Sequence, residues 1–180
     1  MKKRILLALV CALAVLVCAG CGQQPSAPAE PGEQEIPAAE PVSTNPEDYG
    51  ITNAMLTLEE EVSIDDLSLE ALGAFYLHTD GAGAESSADA LYHRFLNDPD
   101  AVIRYLSELG GPSERENSDE TALSALCRAI AAADVFWYDT SEEFTSILEQ
   151  CRERYPSGLP ADALDRLQAE YDAAIERAAQ

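Results

Sequence analysis

Apolar residues along this chain fall into three regimes. From Ile5 to Val17 they run almost unbroken; between Gly22 and Tyr49 the large aliphatics are Ile36 and Val42; from Gly50 onward they recur at i, i+3 and i+4, the spacing of helices with one buried face. Thr140-Ser141-Glu142-Glu143 has the form of a capping box, and behind it Phe144, Ile147, Leu148, Cys151 and Tyr155 share a face. Leu123, Leu126, Ile130, Ala133 and Trp137 make another stripe, with Asn117 or Ser118 as its cap. Asp98 and Pro99 open a helix that buries Val102, Ile103 and Leu106 and stops at Gly110-Gly111-Pro112. Pro160 opens the last, with Leu164, Leu167, Tyr171, Ala174 and Ile175 inward. Two earlier helices are predicted over about Ser68 to His78 and from Ser86 or Ser87 to Leu96, while Leu56, Leu58, Val62 and Ile64 alternate without a partner strand and read as coil or a short helix. Short connections make consecutive helices antiparallel neighbours. The expectation for residues 50–180 is therefore an all-α domain, a five- or six-helix bundle or short helical array with one core.

The first regime has the three parts of a secretory signal: Lys2, Lys3 and Arg4, then the apolar run, then small residues before Cys21. As a helix, Ile5 to Ala19 would reach about 22 Å against a hydrocarbon core of roughly 30 Å, so a permanent span is the weaker reading. Cys18-Ala19-Gly20-Cys21-Gly22 resembles the lipobox of bacterial lipoproteins, in which small residues precede a cysteine that receives a diacylglyceryl group and becomes the new N-terminus. Cys18 stands where that class usually has Leu or another aliphatic. The resemblance implies removal of residues 1–20, lipidation of Cys21, and attachment to the extracytoplasmic face of a bacterial membrane. Two acyl chains, at about 0.8 kcal/mol per buried methylene, suffice for stable anchoring.

The second regime, residues 21–49, interleaves Pro25, Pro28, Pro31, Pro37, Pro41 and Pro46 with Ala, Glu, Gln and Ser. Such a stretch cannot bury enough apolar surface to offset the entropy of ordering, and it reads as a disordered spacer with a reach on the order of 80 Å. Charge sharpens the picture. The chain carries 11 Lys plus Arg against 33 Asp plus Glu, a formal net charge of −22. A field of that sign repels nucleic acid and anionic lipid surfaces; it attracts basic partners or divalent cations.

"FLNDPDAVIRYLSELG", Phe95 to Gly110, resembles one unit of a HEAT-type helical repeat in its Asp-Pro start and its Val/Ile/Leu spacing. No second unit recurs at the period of about 35 to 45 residues that a repeat array needs.

Candidate chemistry is sparse. Cys127 and Cys151 lie at comparable distances from a turn near Asp139, so a disulfide and two free buried thiols are both open. Neither position favours a thiolate nucleophile. His78 and His93 lack metal-ligand spacing, and "HTDGAGAESSAD", His78 to Asp89, reads as an inter-helix loop with a capping Ser. The carboxylates have no D-x-D-x-D-G register, so no metal or cofactor is expected beyond the lipid on Cys21. Phe136-Trp137-Tyr138 is the exception. Three consecutive aromatics cover about 200° of a helix circumference, wider than one apolar stripe. Trp137 follows the core spacing, which leaves Phe136 or Tyr138 toward the edge as an interaction surface. The function expected is a lipid-anchored, non-enzymatic protein-interaction module with an envelope or secreted partner. The alternative is an envelope small-ligand or glycan-binding protein or enzyme, which calls for a deep pocket with convergent polar groups.

Overall fold

The computed structural model describes residues 42–109, 121–138 and 140–180. Among them the regular elements are helical and no strand forms: α1 (Asn53–Leu56), α2 (Leu69–His78), α3 (Gly81–Asn97), α4 (Pro99–Glu108), α5 (Ala122–Ala133), α6 (Ser141–Arg154) and α7 (Leu159–Ala178). Short 3-10 turns occupy Pro46–Tyr49 and Ile64–Asp66, and a π-helical turn, Asp134–Tyr138, continues α5. The all-α expectation holds. The expected signal segment, Cys21, the bulk of the expected spacer, Gly110-Gly111-Pro112, Asn117, Ser118 and Asp139 lie outside the described residues.

Caps set the helix starts. The Ser68 hydroxyl accepts from the Ala71 N–H at 3.2 Å, Asp98 Oδ1 from Ala101 at 3.0 Å, and Thr121 Oγ1 from Ser124 at 3.2 Å. Thr121 thus caps α5, in place of the expected Asn117 or Ser118. The start of α3 also differs, since the predicted loop up to Asp89 is mostly helix. Gly81 takes a left-handed φ of +49°, which lets the chain reverse directly after Thr79 and Asp80. Gly83 then sits where a Cβ would collide with the Thr79 side chain, so the returning helix comes close against the end of α2.

Helix α5 is central, packed against α3 and α7 and also touching α2 and α4. Its Ala122, Ala125, Leu126, Cys127, Ala129, Ile130, Ala131 and Ala133 are buried, an apolar surface on nearly every side, as a helix enclosed by others requires. The small side chains let its neighbours approach closely. Around it, α4 buries Val102, Ile103 and Leu106 as predicted, and Phe144 of α6 bridges Phe95 and Tyr171, with ring centroids 5.1 and 4.5 Å away. Leu164, Leu167, Tyr171 and Ala174 of α7 point inward, whereas Ile175, expected inward, is exposed.

The fold also begins earlier than the expected boundary at Gly50. Val42 pairs with Leu109 in a parallel bridge, His78 Nε2 donates to the Thr44 carbonyl at 3.0 Å, and the Tyr49 hydroxyl donates to the Ser43 carbonyl at 2.9 Å. Residues 42–49, expected as part of a spacer, therefore pack with the helical domain. Their backbone polar groups find partners that a composition rich in proline and acidic residues does not advertise.

Candidate functional site

The aromatic run emerges where α5 changes its winding. Extending the 3.6-residue stripe through Ile130 and Ala133 places Trp137 in the core, but the π-helical turn from Asp134 to Tyr138 rotates the side chains out of that register. Phe136, Trp137 and Tyr138 are 51%, 49% and 40% exposed, so all three face solvent and Trp137 departs from its expected burial. Together they form a contiguous run of large apolar side chains half in water.

A buried carboxylate holds the turn. Asp134, fully buried, accepts the Tyr92 hydroxyl at 3.1 Å and the Thr140 hydroxyl at 2.6 Å on Oδ1, and the Tyr171 hydroxyl at 3.1 Å on Oδ2. The three donors come from α3, the start of α6 and α7, so one anion ties three helices to the end of α5. The Thr140 hydroxyl engages Asp134 and Tyr92 and makes no hydrogen bond to the N–H groups of α6. The expected capping box is therefore not formed. Burial, reinforced for Tyr171 by the Asp134 charge, pushes the Tyr171 phenol up to about 12, and burial likewise raises Tyr92.

The exposed layer rests on this buried one. The Tyr138 ring stacks on Tyr92 with centroids 4.9 Å apart and planes 10° from parallel. Its hydroxyl donates to Asp89, a bond that raises the Tyr138 phenol, and lies 3.2 Å from His93 Nε2. His93, which sequence spacing left without a role, is thus the flank of the platform, 3.7 Å from the Asp89 carboxylate. Beside Trp137 and Tyr138 opens a shallow cleft of about 390 Å³, whose remaining wall is Glu85, Ser86 and Asp89 of α3. A second open cleft of similar size lies along α6 and α7, lined by Ser141, Thr145, Ser146 and Tyr171 among others.

Cys127 and Cys151 are both buried free thiols, in different surroundings. Cys127 lies within the electrostatic reach of Glu170 and Arg166 of α7, while Cys151 accepts a hydrogen bond from Arg154 at 3.3 Å near Asp100 of α4. Burial raises both thiols, which disfavours the thiolate that nucleophilic chemistry needs. His78 serves the fold through Thr44. Among the described residues, no three His, Cys, Asp or Glu side chains gather as a metal site, and no helix is long and apolar enough to cross a membrane.

Asp134 escaped the reading of the sequence, although a signal exists: it lies four residues beyond Ile130, an acid on the buried face of an otherwise apolar helix. No family model, curated protein or solved structure matches this chain.

Proposed function

We propose that this protein is a membrane-anchored extracytoplasmic lipoprotein, held by a diacylglyceryl group on Cys21, whose helical domain is a non-enzymatic protein-interaction module. The observation that carries the interaction reading is the exposure of Phe136, Trp137 and Tyr138 together on a turn fixed from beneath by Asp134 and Tyr92. Aromatic side chains presented on a rigid support make efficient binding anchors because little conformational entropy is lost when a partner covers them. The cleft beside Trp137 and Tyr138 is open and shallow, as is the one along α6 and α7, which suits a protein surface better than a buried small molecule. Anchoring rests on the lipobox-like Cys18 to Gly22. The spacer after it lets a strongly acidic domain stand clear of an anionic bilayer.

The test is photocrosslinking in living source cells, with Phe136 replaced by a photoreactive phenylalanine analogue. One protein recovered repeatedly, and lost when Trp137→Ala is added, supports the module and locates its surface. Repeated captures with nothing above background overturn it and favour a glycan stacked on the same aromatics. Anchoring is separable: an intact mass without the diacylglyceryl increment on Cys21 would sink that part alone.

A further inference from the structure

The platform does not stand alone on its face of α3. A third cleft, about 260 Å³, lies between the N-terminal half of α3 and the segment that follows α1, where Leu58, Glu60, Glu61 and Val62 form its outer wall. Ser86 lines both this cleft and the one under Trp137 and Tyr138, so the two meet in a single track across α3. Leu58, 48% exposed and held at a left-handed φ of +59°, marks one end of the track, and Trp137 marks the other.

The lining has a consistent chemistry. Apolar side chains, Leu58, Val62, Ile64 and Trp137 among them, share the lining with charged ones, and every charged residue of the lining is a carboxylate: Glu60 and Glu61 in the third cleft, Glu85 and Asp89 in the one under Trp137 and Tyr138. Asp89 is engaged by Tyr138, and Glu60 by the Thr52 hydroxyl at 3.3 Å. Among the described residues, Glu61 and Glu85 have no ion-pair or hydrogen-bond partner. Carboxylates spaced along an apolar track, next to an exposed indole, complement guanidinium or ammonium groups, which pair with the acids and stack on the ring.

We infer that this track binds a linear peptide segment of the partner in which Arg or Lys alternates with apolar residues. The inference rests on the interaction-module reading and specifies its partner's chemistry. Several separated carboxylates with apolar ground between them fit a chain that carries several cations, and the formal net charge of −22 draws such a chain in.

Trp137 is the sole tryptophan, so its emission reports occupancy directly. The full chain, purified in a neutral detergent, is titrated with a synthetic peptide of alternating Arg and Leu and with its Gln-for-Arg counterpart, calorimetry providing a second readout. The Arg peptide is expected to perturb Trp137 saturably, to weaken as salt rises, and to bind about tenfold more weakly to Glu61→Gln/Glu85→Gln. A charge-matched control on α6 and α7, Glu153→Gln/Glu176→Gln, should change affinity by less than about twofold. No saturable binding, equal weakening by the control pair, or equal binding of the Gln peptide each overturns the cationic assignment. The crosslink from position 136 is read independently of it, so failure of the cationic assignment and failure of the platform are told apart.

Discussion

Helix α5 and the turn that continues it are consecutive in the chain, yet they are held by opposite means. From Ala122 to Ala133 the backbone is enclosed by neighbouring helices through apolar contact, non-directional and spread over many side chains. From Phe136 to Tyr138 that enclosure ends. A single carboxylate and three hydroxyls fix the geometry, and the large apolar side chains turn outward. Hydrophobic burial cannot hold side chains that must stay in water, so a directional network beneath them does the holding instead.

The contrast can be broken from either side. Ile130→Ala removes packing from the centre of α5 and is expected to cost about 4 kcal/mol in denaturant unfolding, with Trp137 emission of the folded protein unchanged. Asp134→Ala removes the acceptor shared by the Tyr92, Thr140 and Tyr171 hydroxyls and leaves a cavity beneath the turn; about 3 kcal/mol is expected, together with a shift of Trp137 emission as the turn loses its anchor. A cost below about 1 kcal/mol for Asp134→Ala would mean that packing alone holds the turn.

Alkali probes the same network without mutation. Unfolded tyrosines titrate near about 10, whereas folded Tyr171 keeps its proton to about 12 and folded Tyr92 is raised in the same direction. The native state therefore binds protons more tightly. The stability these groups contribute is whole below about pH 10 and is lost as pH rises through their folded values, at up to about 1.4 kcal/mol per pH unit for each. Denaturation midpoints measured from neutral to strongly alkaline pH should show that decline, and Tyr171→Phe should make it shallower. The smallest effect belongs to the platform: Trp137→Ala should alter stability by no more than about 0.5 kcal/mol while removing binding.

Much of the fold was legible because it follows local rules. Asp98-Pro99 ahead of Val102, Ile103 and Leu106 carries its own cap, first-turn proline and buried face, and α4 forms as read. The aromatic run was legible as a candidate surface for the same kind of reason, being too wide for one stripe. Its geometry was not, because the helical period was carried through Trp137 across a π-turn that no local propensity announces. Asp134 and Thr140 were opaque for a related reason. Their roles depend on Tyr92 and Tyr171, separated from Asp134 by 42 and 37 positions, and only the assembled helices bring those hydroxyls to one anion. At Gly81, a residue that reads as loop in isolation became the first residue of a long helix once the reversal after α2 had to be short.

The way the chain enters the domain has a mechanical consequence. A pull transmitted along the polypeptide upstream of Val42 meets, before any core helix, the bridge to Leu109, the His78 hydrogen bond to Thr44 and the Tyr49 hydrogen bond to Ser43. With the chain held by the proposed lipid anchor, these few bonds would be the first to bear the load. Under the proposed anchoring, the entry segment would act as a mechanical fuse, releasing chain length before the helices and the aromatic face come under load.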